Sequence, residues 1–186
     1  MIVNVILDSR FPEKQVNVNN ELLRQGISEC KIWDCVVLPD VISAINASHK
    51  MVVRWAKENK QKEVIIFEDD ICFPNENGWQ FFLDNKPTNF DVYIGGTYLI
   101  SNEHNWIPRI VKVNEWVGSH CVIISEKYYD TFLSLPDNQH IDTINKGKGD
   151  FYVCFPFAAI QREGYSSNNK TVVNYNTTVP KGYIYE

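Results

Sequence analysis

The 186-residue chain, 44% hydrophobic and 13% aromatic, is long enough to fold as one domain around a real core, which excludes disorder over most of its length. A formal net charge of -5 excludes a general binder of nucleic acid or of membrane surfaces, which would carry a basic face; only a local basic pocket for phosphate stays open. Five cysteines, Cys30, Cys35, Cys72, Cys121 and Cys154, are odd in number and form no CxxC pair, so reduced thiols in a cytoplasmic protein are expected rather than a disulfide framework or a zinc site.

In chain order, "VNVIL" (3–7) reads as a strand. After Asp8, Ser9 and Arg10, Pro12 opens a helical stretch that Gly26 stops, with Val16, Leu22 and Leu23 as its apolar face. "KIWDCVVL" (31–38) is a second strand, closed by Pro39. Residues 41–60 form the clearest helix: Ile45, Ser48, Val52, Trp55 and Ala56 recur at three- and four-residue spacing, while Lys57, Glu58 and Lys60 solvate the other side. "EVIIF" (63–67) lacks polar alternation, as expected of a central strand covered on both faces. Alternating β and α implies parallel strands joined by crossovers.

The second half adds a short helix at "GWQFFLDN" and a strand at "DVYIGGTYLI" broken by Gly95 and Gly96. Strands at "RIVKVNEW" and "GSHCVIIS" and a helix at "EKYYDTFLSL" follow, then an extended "FYVCFPFAAIQ" with Pro156 at an edge or bend. No stretch reaches the roughly 20 apolar residues of a membrane span. The expected division is a domain over 1–165 and a polar tail over 166–186 that folds over the surface or frays.

The strand "EVIIF" runs straight into Glu68, Asp69 and Asp70. Three adjacent carboxylates are unfavourable unless water or a cation neutralises them. In open α/β sheets, ligands bind outside the carboxyl ends of strands, which is where these acids fall. Side chains alternate along a strand, so Glu68 and Asp70 should share one side and Asp69 face the other. Carboxylates suit Mg²⁺ or Mn²⁺, ions that keep positions open for water and substrate phosphates. A solvated acidic loop is the alternative.

The surrounding pattern resembles the glycosyltransferases that make lipooligosaccharide and related glycans, a family that includes collagen galactosyltransferases. "NVILDSRFPEK" is similar to the family's opening strand with an Arg in the following loop. "INASHKMVVRWAKEN" is similar to its Ser-His helix, and "VIIFEDDI" to its EDD strand. "GSHCVIISEKYYDTFL" is similar to a later strand and helix, and "HIDTINKGKGDFYVCFPFAAIQ" to the closing acidic segment. The matches come in the family's order from about residue 2 to 168. The resemblance implies a GT-A-like (Rossmann-like) α/β fold, with a mixed, mainly parallel sheet flanked by helices in a single domain. It also implies a divalent ion at the acidic strand end, bridging the diphosphate of a donor such as a UDP-sugar. Asp70 is the metal ligand by position, with Glu68 or Asp69 on ribose or bound water and Asp69 a further candidate ligand.

The remaining candidates each have a plainer reading. Arg10 could reach a diphosphate or a base with its planar fork, or pair with Glu13 on the surface. Asp8 lies beside it at the same strand end. Ser48 falls on the apolar face of its helix and needs a partner there; the resemblance implies that Ser48 and His49 support the donor pocket. His120 is a candidate third metal ligand, with His140 and Asp142 as alternatives, or a buried hydrogen-bonded imidazole. Asp142 is the candidate general base, Asp150 the substitute, and a helix N-cap the plain reading of Asp142. Here the sequence departs from the family, since Thr143 stands where a second acid is usual. Gly95 and Gly96 would let a sugar or phosphate pack against the backbone, or simply form a bulge.

The reading that follows is a metal-dependent glycosyltransferase. It would move a sugar from a nucleotide-sugar donor to a glycan or lipid-linked glycan acceptor, with inversion implied by the resemblance. A metal-dependent phosphoester hydrolase also gathers acids at a strand end, but would need a second cluster of acids or histidines nearby. A transferase homologue that has lost catalysis and only binds nucleotide or glycan is the other alternative.

Overall fold

The computed structural model describes residues 2–98, 105–180 and 182–186. β1 (Val3–Leu7), α1 (Pro12–Arg24), β2 (Cys30–Asp34), α2 (Val41–Glu58) and β3 (Glu63–Glu68) alternate as the sequence predicts. β4 (Ile71–Cys72), α3 (Gly78–Asp84), β5 (Val92–Ile94), β6 (Asn105–Ile107) and β7 (Ile110–Val113) follow. The second half continues with β8 (Cys121–Ser125), α4 (Tyr129–Ser134), β9 (Phe151–Cys154), β10 (Ile160–Gln161), β11 (Gly164–Ser166) and β12 (Thr171–Val173). Leu99 and Ile100, expected to end the strand that contains β5, lie outside the described residues.

The main sheet runs β2-β1-β3-β8-β5-β9-β7-β6. β1 is parallel to β2 and β3, and β5 to β9; β8 and β7 run against their neighbours, so the other strands all point one way. This is a mixed, mainly parallel α/β sheet with helices on both faces. β3 is covered on both sides: Val64 and Ile66 enter a core with Val52, Val53 and Ala56 of α2 and Phe132 of α4. Ile65 and Phe67 enter the opposite core with Val18 and Leu22 of α1 and Trp79 and Phe82 of α3. The unbroken apolar run in the sequence has this cause, since neither face of the strand meets water.

Two expectations are corrected. Of the expected apolar face of α1, Leu22 is buried, but Val16 and Leu23 are 57% and 80% exposed, and Val18 and Glu21 are buried in their place. The helix rolls to bring Glu21 inside, where it accepts the Phe73 N–H at 3.0 Å and pairs with Arg24 and Arg162. A buried carboxylate with such partners is tolerated. The second strand stops at Asp34, and Cys35–Leu38 continues as a loop held by α2.

The segment after Ser166 folds over the body. β12 pairs antiparallel with β11, Ile184 bridges to Phe157, and the Tyr183 ring stands edge-on to Phe155 at 5.1 Å. Among the described residues no helix is long and apolar enough to cross a membrane.

Candidate functional site

β1 and β3 end side by side, and the antiparallel β8 starts at the same sheet edge: Cys121 pairs with Phe67, and the His120 carbonyl accepts the Glu68 N–H at 3.0 Å. A cleft of about 940 Å³ opens there. It brings together Asp8, Arg10, Ser48, His49, Glu68, Asp69, Asp70 and Asp142. Segments more than 60 residues apart thus meet because parallel strands deliver their carboxyl ends to one edge.

The three acids face as alternation predicts, although β3 ends at Glu68 and Asp69 and Asp70 form the turn that follows. Asp69 turns toward α1: its Oδ2 accepts the Asp8 N–H at 2.8 Å and its Oδ1 takes Lys14 Nζ at 2.8 Å. It ties β3 to β1 and α1, and both oxygens already have partners within the chain. Burial pushes the Asp69 carboxyl up against the pull of Lys14, and Asp69 holds the lysine above its ordinary value despite burial. Glu68 and Asp70 face the other way and share one amide. Gln161 Nε2 donates to Asp70 Oδ2 at 2.8 Å and to Glu68 Oε2 at 3.2 Å. The second oxygen of Asp70, Oδ1, is buried with no hydrogen-bond partner among the described residues. Burial, then the charges of Glu68 and Asp69, push the Asp70 carboxyl well above the usual range. A cation is what such a group lacks.

The Ser-His pair supports this arrangement from α2. Ser48 Oγ donates to the Ala44 carbonyl and accepts the Val36 N–H, each at 2.8 Å, pinning the loop after β2 to the helix. Ser48→Ala should therefore lower stability by about 1 kcal/mol, by leaving a half-buried N–H without its acceptor. Urea unfolding measures the loss, and faster hydrogen exchange at Val36 locates it. His49 Nδ1 lies 3.0 Å from the Ile45 carbonyl, and Nε2 makes an ion-pair contact of 3.4 Å with Glu68 Oε1. Burial alone would lower the imidazole and raise the carboxyl; their mutual attraction outweighs it, so His49 is raised and Glu68 lowered.

Arg10 pairs with Asp8, not Glu13. Its fork makes two bonds to the carboxylate, Nε to Oδ1 at 2.7 Å and Nη2 to Oδ2 at 2.6 Å, while 56% of the side chain stays exposed. The guanidinium holds the Asp8 carboxyl below its ordinary value. Asp142 caps the short 3₁₀ turn Thr143–Asn145. Oδ1 accepts the Thr143 N–H at 2.7 Å and Oδ2 the Gly118 N–H at 2.8 Å, which fixes the carboxylate at the cleft wall.

Four candidates fall outside the cleft lining. Asp150 precedes β9, at the sheet edge opposite the acids, and pairs with Lys112 at 2.7 Å. His120 is 1% exposed, behind the cleft wall against Tyr98. Gly95 and Gly96 thread between Cys121 and Ala159: an added Cβ would lie 2.6 Å from Cys121 Sγ at Gly95 and 2.0 Å from the Ala159 oxygen at Gly96. The Cys121 side chain at Gly95 and the Ala159 backbone at Gly96, not ligand, occupy the space these glycines leave open. Conversely, the sequence did not single out Lys14, Gln161 or Tyr98 as site residues. Gln161 reaches the acids only because β10 pairs antiparallel with β4, setting it opposite Ile71. Nothing in the spacing of the sequence announces that contact.

Among the described residues no group of three or more His, Cys, Asp or Glu side chains is arranged to hold a metal ion. The unpartnered Asp70 oxygen nevertheless fits a divalent ion that takes one or two protein carboxylates, here Asp70 with Glu68, and completes its shell with water and phosphate.

No family model matches this sequence, and no curated protein matches it either. Among solved structures, A197 from STIV is similar over 92% of this chain and 92% of its own, at 13% identity and a TM-score of 0.55. A glycosyltransferase involved in the glycosylation of the major capsid of PBCV-1 covers 70% of this chain and 62% of its own, at 10% identity and 0.43. A Drosophila beta-1,4-galactosyltransferase 7 in complex with manganese, UDP-Gal and xylobiose covers 69% of this chain and 50% of its own, at 13% identity and 0.40. Of these three scores, the first alone establishes a shared fold.

Proposed function

We propose that this chain is a glycosyltransferase that moves a sugar from a nucleotide-sugar donor, UDP-linked by preference, to a glycan or lipid-linked glycan acceptor. The observation that carries this reading is the Asp70 carboxylate, buried in a large cleft just past a strand's carboxyl end, with one oxygen unpartnered among the described residues and its carboxyl pushed well above the usual range by burial and by Glu68 and Asp69. Asp70 and Glu68 would hold Mn²⁺ or Mg²⁺, which supplies charge neutralisation for a diphosphate and for the departing nucleotide. Gln161 keeps the two carboxylates side by side, and His49 orients Glu68 from behind. Arg10, held by Asp8 yet half exposed at the cleft, offers its remaining donors to the diphosphate. The loop pinned by Ser48 presents Val36, Val37 and Leu38 as an apolar wall for the base.

Asp142 is the general base of this reading. The acceptor hydroxyl would bond to the anomeric carbon as the bond to the diphosphate oxygen breaks, with its proton passing to the Asp142 carboxylate. Two backbone N–H groups orient that carboxylate and leave lone pairs on both oxygens. Asp150 lies too far away for this role. The placement of Asp150 at the opposite sheet edge also weighs against the hydrolase alternative, because Asp150 cannot join Asp142 in a second acidic cluster at the cleft.

Calorimetric titration with UDP, GDP and CDP, with and without Mn²⁺, tests the class. The expected result is manganese-dependent binding of one nucleoside diphosphate, tightest for UDP. Failure of all three to bind in the presence of the metal would remove the reading.

A further inference from the structure

Tyr98 follows the Gly95–Gly96 passage and lines the cleft. Its ring is fixed from three sides. Its N–H donates to the Val117 carbonyl at 3.0 Å. Gly118, in the left-handed region at φ +102°, lies beneath the ring, and an added Cβ there would come within 2.7 Å of the ring edge. Tyr175 packs on the ring at 4.6 Å between centroids, and His120 at 5.8 Å. A ring locked this way points its hydroxyl in one direction. That oxygen is buried and has no hydrogen-bond partner among the described residues. Native chains rarely leave such a group unmet without a purpose.

The charges around the hydroxyl say what kind of ligand meets it. Burial, followed by the charges of Asp70, Glu68, Tyr175 and Asp142, pushes the phenol upward, so it remains a neutral donor. Of the cationic side chains that line the cleft, Arg10 is held by Asp8, Lys14 by Asp69 and Arg162 by Glu21, and Lys170 stands exposed at its rim. Phosphate oxygens belong with those cations and a metal ion, whereas an uncharged oxygen tolerates a place among carboxylates. A sugar hydroxyl or ring oxygen meets that condition.

We propose that Tyr98 is a sugar-contacting residue, whose hydroxyl donates a hydrogen bond to an oxygen of a glycosyl unit bound in the cleft that Tyr98 lines together with Asp70 and Asp142. The proposal rests on the glycosyltransferase reading and adds to it the residue that recognises the transferred sugar rather than the nucleotide.

Tyr98→Phe removes the one oxygen and keeps the ring. Wild type and variant are titrated with UDP-glucose, UDP-galactose and GDP-mannose, and with UDP and GDP, all with Mn²⁺. For the sugar nucleotide that wild type binds best, affinity should fall about three- to tenfold, the worth of one hydrogen bond. Affinity for the matching nucleoside diphosphate should not change. The melting temperature of the unliganded variant should equal or exceed that of wild type, because the hydroxyl has no partner among the described residues to lose. Unchanged affinity for the sugar nucleotide, or an equal fall with the bare diphosphate, overturns the assignment of Tyr98 while leaving the class intact. A lower unliganded melting temperature also overturns it, by giving the hydroxyl a structural role. If wild type binds none of the five, nor CDP, the glycosyltransferase reading falls, and the sugar contact with it.

Discussion

Asp70→Asn should abolish cation-dependent sugar transfer, with at least about a hundredfold loss of turnover, while leaving a folded protein. The amide has the shape of the carboxylate and can still meet Gln161, but it carries no charge to hold a divalent ion. The manganese-dependent part of nucleotide affinity should vanish with it. Stability should move the other way or not at all. Burial, then Glu68 and Asp69, raises the Asp70 carboxyl, so its charged form opposes folding. For an acid raised in the folded state, stability is lost as pH rises from the ordinary carboxylate range through the raised value, and the penalty is absent at lower pH. Asparagine removes that dependence. Thermal melting at pH 7 should therefore show the variant equal to or above wild type, and its advantage should shrink as the pH is lowered. An unchanged manganese dependence of nucleotide binding would take Asp70 out of the site.

The same residue shows how much of the site the sequence disclosed. The apolar run Val64–Phe67, ending on three acids, was sufficient to place a buried strand and a charged strand end, because both follow from local pattern. Alternation also sorted the acids correctly: Glu68 and Asp70 share Gln161, while Asp69 turns to Asp8 and Lys14. Gln161 itself was beyond reach, since its position depends on the pairing of two-residue strands some 90 residues apart. Glycines misled for a related reason. A sequence shows that Gly95 and Gly96 leave space; only the packed fold shows that Ala159 and Cys121 fill it. The face of α1 was misjudged because Glu21 is buried, and a periodicity count assumes that charges face water.

Those glycines yield the largest expected effect on the fold. Gly96→Ala would set a methyl group 2.0 Å from the Ala159 carbonyl oxygen, a backbone atom that no side-chain rotation can move aside. One of the two segments must shift. Ala159 is bound to the passage by its N–H, which donates to the Gly95 carbonyl at 3.1 Å. The expected destabilisation is about 3 kcal/mol or more, at the upper end of overpacking costs. Gly164→Ala is the control: no atom lies within 4 Å of the added Cβ, and the backbone there is not left-handed, so stability should change by less than about 0.5 kcal/mol. Urea unfolding of both variants measures the contrast. The displacement also reaches the chemistry, because Ala159 is followed at once by Ile160 and Gln161, whose amide holds Asp70 and Glu68 together. Whatever Gly96→Ala protein remains folded at low temperature should therefore bind manganese and nucleotide more weakly than wild type. If it kept both its stability and its affinity, the tight passage would be an accident of packing, and the acids would not depend on it for their alignment.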